Sequence, residues 1–232
     1  MRGVRVTAPR DRDALYRPGY SAYIFDWDGT VADSHRANYS AVSSALRLVG
    51  VDISWEWYIA RHGLSAGEMA TAAAEEVGRR IDVPRVVESR DEFFLRVVAD
   101  VAPVAPVASV IRRLQGGAPV AVATGGPRRT VLHTIDMWEI GHLFSAVVTR
   151  DDVSCGKPDP ALFLRASELL GVPAEKCLVY EDSDEGLEAA RRAGMDAVDV
   201  RPCLASERRG MTARTPSCLL YTSDAADDTP CV

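Results

Sequence analysis

Apolar and polar positions follow two different rhythms along this chain. Residues 23–27, Tyr-Ile-Phe-Asp-Trp, form a short apolar run of the kind that suits a strand covered on both faces. From Ser34 onward the period is helical. Ser34 can cap a first helix that reaches Val49 and stops at Gly50, with Ala41, Ala45, Leu48 and Val49 on one stripe. Further helical patterns cover residues 55–61, 66–77 and 85–101 with no strand between them, and Pro103 and Pro106 punctuate the return. Consecutive helices of this kind predict a separate bundle over residues 34–104.

Beyond residue 107 strands and helices alternate. A helix to about Leu114 is followed by a buried strand at 119–123 and a helix at 127–137, and short apolar runs recur at 144–148, 177–180 and 197–200. That alternation predicts an α/β protein: a three-layer, Rossmann-like parallel sheet core, residues 21–33 and 105–203, with an inserted small α-helical cap domain. Residues 1–20 are charged and broken by prolines, and read as a flexible leader, outside the natural start of the protein. The pattern fades again from Leu204, so residues 204–232 read as a disordered tail. Within it, residues 218–228 match the translation of a sequencing adapter and are set aside from function.

Composition narrows the functional classes. With 47% hydrophobic residues, 232 residues can bury one substantial core and a small accessory domain. The net charge of −6, with no basic stripe, argues against nucleic-acid binding, and no apolar run is long enough to span a membrane or serve as a signal peptide. Five cysteines without metal-type spacing fit a reducing compartment, so the expected location is the cytoplasm. A monomer or weak dimer is expected.

Candidate chemistry gathers at strand ends, where parallel sheets place their ligands. Asp26 and Asp28 lie two residues apart at the end of the first strand, and Gly29 allows a sharp turn that aims the two carboxylates differently. One could attack an electrophile and the other move a proton, with a divalent cation offsetting their repulsion. An acidic strand end merely solvated by water fits the same pair. Thr124-Gly125-Gly126 follows a strand and precedes a helix start at Pro127, a hydroxyl and backbone N–H set suited to a phosphate, or simply a turn. Lys157 stands in Cys-Gly-Lys-Pro-Asp-Pro, where Pro158 excludes the helical conformation before it, Asp159 can cap and Pro160 can start a helix. Glu181 and Asp182 end another strand and offer hard oxygens for Mg²⁺, or serve only to favour the helix that follows.

The stretch Asp-Trp-Asp-Gly-Thr-Val-Ala-Asp-Ser, residues 26–34, resembles the DxDGT(V/L)xDS signature of the haloacid dehalogenase-like hydrolases. The other three segments follow in that family's order and spacing, so the resemblance covers residues 22–203. It implies that Asp26 is a nucleophile forming an aspartyl-phosphate and that Asp28 is the acid and base. It further implies that Thr124 and Gly125 hold the phosphoryl group and that Lys157 balances its charge. Mg²⁺ is implied on Asp26, the backbone carbonyl of Asp28 and Asp182, with Glu181 beside it. The helical insert, and residues 179–190 and 193–201, resemble β-phosphoglucomutase-like members of the fructose-1-phosphate phosphatase type.

The expected activity is Mg²⁺-dependent hydrolysis of a small phosphorylated metabolite, most plainly a sugar phosphate. Mutase activity and a non-enzymatic phospho-aspartate module are the alternatives. Many relatives carry histidine where this chain has Asn38, which weighs against the mutase, since a mutase must also shield its phospho-aspartate from water. In the cap, His62, Gly63 and Ser65 are candidates for substrate contact. His35, His133 and His142 are assigned structural or surface roles, Arg128 and Arg129 a solvated helix start, and Trp55 and Trp57 cap packing.

Overall fold

The computed structural model of the protein describes residues 3–212. In chain order the elements are β1 (Val6–Thr7), β2 (Ala22–Phe25), β3 (Ala32–Asp33), α1 (His35–Leu48), α2 (Trp55–Ile59), α3 (Ala66–Glu76) and α4 (Val83–Val97). Then come β4 (Ala102–Pro103), α5 (Ala105–Leu114), β5 (Val120–Ala123), α6 (Arg128–Met137), β6 (Ala146–Val148) and α7 (Ala161–Leu170). β7 (Cys177–Glu181), α8 (Asp184–Arg192), β8 (Asp196–Asp199) and α9 (Arg201–Thr212) follow.

Six strands form one parallel sheet in the order β1-β8-β7-β2-β5-β6. Alternation of side chains divides the sheet's apolar residues between two layers. Tyr23, Phe25, Val122 and Tyr180 face Val107 and Ile111 of α5 and Val131 and Ile135 of α6. Ala22, Ile24, Ala121 and Val179 face Leu162 and Phe163 of α7 and Ala189 and Ala190 of α8. Because β2 is central and covered on both faces, each of its four residues is buried, which explains its unbroken apolar run. The result is the expected three-layer α/β architecture.

Between β3 and β4, α1 to α4 close around their own cluster of Val42, Leu46, Val51, Tyr58, Met69, Ala73 and Val86. The two connectors to this bundle pair with each other: β3 and β4 are antiparallel, with Ala32 opposite Pro103 and Asp33 opposite Ala102. The Val104 N–H also donates to the Val31 carbonyl at 2.8 Å. A helix-only reading misses this ribbon because it is two residues long on each side. The last helix of the bundle likewise begins at Val83, capped by Asp82 with Pro84 in its first turn, and gives way to a 3₁₀ turn at Val98–Asp100.

Two expectations are corrected. The leader is not flexible: β1 pairs with β8 through Val6 opposite Ala197, Leu15 is fully buried in the main core, and the Tyr180 hydroxyl donates to the Leu15 carbonyl at 2.7 Å. A two-residue strand carries no periodicity, and its partner lies at the far end of the chain, so composition alone suggested disorder. Nor does order end at Leu204: α9 runs to Thr212, because Cys203 is buried and Leu204 packs on the same core. The Asp199 carboxylate accepts from the Arg201 N–H at 3.0 Å where α9 starts. The expectations for residues 213–232, the adapter-like stretch included, lie outside the described residues.

Candidate active site

Four loops meet at the C-terminal edge of the sheet. The residue after β2, Asp26, stays in register by donating its N–H to the Tyr180 carbonyl at 2.9 Å, and it is 4% exposed. The chain then folds back on Trp27, whose carbonyl accepts from the N–H groups of Val31 and Ala32, both at 2.9 Å. Gly29 makes this turn with φ of +84°, and a side chain there would collide with the Asp182 carboxylate and the His35 ring. Glycine is therefore required twice, by conformation and by space.

Lys157 reaches into the same space from the loop before α7. Its Nζ lies 2.5 Å from Oδ1 of Asp26 and 2.6 Å from Oε2 of Glu181, and all three side chains are buried. Burial would favour loss of its proton, but the charges of Asp26 and Glu181, which also accept its hydrogen bonds, outweigh that and raise its pKa. The Asp26 carboxyl is held well above the usual range, first by burial and then by the charge of Glu181; Lys157 pulls it down, and Asp182 pushes it up again. One ammonium thus serves two buried carboxylates, with a third close by. Oxygens of Asp26, Glu181 and Asp182 lie within 4.8 Å of one another, a compact hard-oxygen set that fits Mg²⁺.

Within that set the duties differ. Both oxygens of Glu181 are engaged: Oε2 by Lys157, and Oε1 by the Ser183 hydroxyl at 2.7 Å and by the N–H groups of Ser183 and Asp182. Its close contact with α8 also requires Gly186, where a Cβ would strike the carboxylate. Glu181 consequently anchors Lys157 and the turn into α8. Asp182 accepts from the Thr30 hydroxyl at 3.2 Å through Oδ1 and meets Nε2 of His35 at 3.1 Å through Oδ2. His35 was assigned a structural or surface role. Burial opposes its charged form, but the hydrogen bond and charge of Asp182 prevail, with Asp28 and Asp33 adding to them, and its pKa rises.

Asp28 points to the cap side. Its Oδ1 accepts from the Ser34 hydroxyl at 2.5 Å and from Nδ2 of Asn38 at 2.7 Å, while Oδ1 of Asn38 accepts from Arg90 of α4. Arg90 is buried and donates also to Asp91 at 2.8 Å. Ser34 does precede α1, as expected, but its side chain makes no cap hydrogen bond, since the hydroxyl is turned to Asp28. The Asp28 carboxylate is absent from the metal-type clusters among the described residues.

Thr124 holds its turn by accepting the Gly126 N–H on Oγ1 at 2.9 Å, and Gly126 passes close to Oδ2 of Asp28. The first N–H of α6, that of Arg128, is taken by Asp151 at 2.9 Å, and the Arg128 guanidinium is bound to Asp152. That helix start is therefore occupied by the protein's own acids, and Arg128 is turned away from the cleft. The cap loop after α2 brings His62, Gly63 and Ser65 to the same cleft, alongside Asn38 and Arg90. Ser65 forms a reciprocal capping box with Glu68 at the start of α3, and a Cβ at Gly63 would strike Glu185 of α8. Trp55 packs against Tyr39 and Tyr58, and Trp57 donates to Glu76, so both are part of the cap's own framework.

Asp26, Asp28, Thr124, Gly125, Lys157, Glu181, Asp182, Asn38, His62, Gly63 and Ser65 all line one cleft. Sequence reasoning missed Ser34, His35 and Arg90. For Ser34 the motif carried the signal, but its obvious local use was as a helix cap. His35 and Arg90 had no local signal at all.

A family model described as haloacid dehalogenase-like hydrolase matches residues 23–200. The chain belongs to that family. Among its relatives in the family is the fructose-1-phosphate phosphatase YqaB of Escherichia coli, 33% identical over 182 residues, which are 78% of this chain and 97% of that protein. A crystal structure of a hydrolase from Pseudomonas syringae superposes with a TM-score of 0.70 at 28% identity, covering 80% of this chain and 90% of that one. The β-phosphoglucomutase of Clostridium difficile shares the fold, with a TM-score of 0.71 at 20% identity over 78% of this chain and 84% of that one. Among the described residues no helix is long and apolar enough to cross a membrane.

Proposed function

We propose that this haloacid dehalogenase-like enzyme is a Mg²⁺-dependent phosphatase of small sugar phosphates, fructose-1-phosphate being the first candidate, and that it works through an aspartyl-phosphate on Asp26. The observation that carries this reading is the pairing of Asp26 with Lys157 at 2.5 Å beside an independently held second acid, Asp28. A carboxylate with one oxygen fixed by an ammonium presents the other to an incoming phosphorus atom.

In the first half-reaction Asp26 forms a P–O bond as the ester P–O bond to the sugar breaks, and Asp28 gives its proton to the departing sugar oxygen. In the second, Asp28 takes a proton from water, the water oxygen bonds to phosphorus, and the Asp26–phosphorus bond breaks to release inorganic phosphate. Thr124 and the N–H groups of its turn, with Lys157, would hold the phosphoryl oxygens through both steps. Mg²⁺, bound by Asp26 and Asp182, would supply charge neutralisation for those oxygens. Asn38 supports hydrolysis over mutase action, because its amide holds Asp28 without taking up or releasing a proton. His62 and Ser65, on the cap side of the cleft, are the groups best placed to meet the sugar.

The test is a panel of phosphorylated metabolites assayed for phosphate release with Mg²⁺. Turnover of ketose and hexose phosphates, with β-glucose-1-phosphate giving free phosphate and no glucose-6-phosphate, supports the reading. Conversion of β-glucose-1-phosphate to glucose-6-phosphate, or no turnover of any sugar phosphate, overturns it.

A further inference from the structure

We infer that His35, His62 and Asp182 form a second metal site, selective for Zn²⁺ and similar nitrogen-seeking divalent ions, that closes only where the cap loop meets the core. His62 Nδ1 lies 2.8 Å from the carbonyl oxygen of Ile59. An oxygen acceptor there places a proton on Nδ1 and leaves Nε2 as the nitrogen that could bind a metal. Nε2 faces Oδ2 of Asp182 at 4.0 Å, beyond hydrogen-bond reach and wide enough for an intervening cation. Nε2 of His35 approaches the same oxygen at 3.1 Å, and the three ligand atoms lie within 4.8 Å of one another. The imidazole rings stand perpendicular with centroids 5.0 Å apart, so their Nε2 atoms converge without stacking.

The surroundings orient this set. The Thr30 hydroxyl engages Oδ1 of Asp182, leaving Oδ2 to the histidines, and Gly29 leaves the room that any side chain would fill. Buried Nδ1 of His35 has no hydrogen-bond partner, and Nε2 is the ring nitrogen that faces Asp182. Two imidazoles and one carboxylate favour Zn²⁺, Co²⁺ or Ni²⁺ over Mg²⁺, which prefers oxygen and keeps its waters. His62 comes from the loop between α2 and α3 and Asp182 from the turn after β7, so the ion would tie the cap to the core. It would also occupy an acid that Mg²⁺ requires, making Zn²⁺ an inhibitor. That consequence rests on the phosphatase reading, whereas the site does not.

Equilibrium dialysis of the full chain against Zn²⁺, with Mg²⁺ in the buffer, tests the site without an activity assay. One Zn²⁺ per chain is expected, with affinity falling by about tenfold or more in both His35→Gln and His62→Gln. His142→Gln, an exposed histidine away from the cleft, should bind as wild type. The wild-type Co²⁺ complex, which needs no variant, should show nitrogen- and oxygen-type absorption without a thiolate charge-transfer band. Absence of retained Zn²⁺, equal retention by all variants, or a thiolate band would overturn the proposal. Zn²⁺ binding in a chain that hydrolyses no phosphate ester would leave the site standing and remove only the inhibition.

Discussion

Asn38 lies between Arg90 and Asp28, 2.7 Å from the Asp28 oxygen it serves. Arg90 has only donors, so the amide oxygen must face it and the amide nitrogen must face Asp28. With Ser34 also donating to Oδ1, that oxygen of Asp28 is saturated, and Oδ2 is left beside Gly126 and the turn after β5. The cap thus fixes which way the Asp28 carboxylate points.

Asn38→Ala should free the Asp28 carboxyl to rotate. Steady-state kinetics are expected to show kcat down by about 10- to 100-fold with KM little changed, the signature of a misplaced acid. An equal loss in KM alone would assign Asn38 to substrate binding instead.

Lys157 is the sole ammonium bonded to Asp26 and Glu181 among the described residues. Lys157→Ala leaves two buried carboxylates unpaired, and breaking such a pair from one side costs about 3–5 kcal/mol. Urea unfolding at neutral pH should show that loss in the metal-free protein. A change below about 1 kcal/mol, the scale of an exposed pair, would mean that water reaches these groups.

Asp26 also sets a pH dependence. Its folded pKa lies above the ordinary carboxylate value, with burial as the main cause, so the folded chain holds this proton more tightly than the unfolded chain. The sign follows from linkage: the contribution of Asp26 is most favourable below the unfolded value and is lost as pH rises from there through the raised folded value. In metal-free thermal melts between about pH 4 and pH 8, Asp26→Asn should therefore lose less stability with rising pH than wild type. Parallel profiles would contradict the shift.

The strands and the four site loops were legible because their signals are local. Asp26, Asp28 and Gly29 are near neighbours in sequence, and strands buried on both faces read as apolar runs. What was not legible depends on distant partners. Arg90 meets Asn38 across 52 positions and carries nothing in its own helix that marks it. The first residues were misjudged for the same reason, since the value of β1 and Leu15 lies in β8 and in Tyr180. Deleting residues 1–16 should lower stability by roughly 1.5–3 kcal/mol from Leu15 alone, read as a lower melting temperature; an unchanged melt would restore the view of a dispensable leader.

The central claim is that phosphate passes through Asp26, and chemical trapping tests it most directly. Acid quenching during turnover of a labelled sugar phosphate, followed by peptide mapping, should find an acid-stable, hydroxylamine-labile phosphoryl group on the peptide containing Asp26. None of it should form in Asp26→Asn, which should also lose at least about 10³-fold in kcat. Undiminished turnover by Asp26→Asn, or a label on any other residue, would contradict the account.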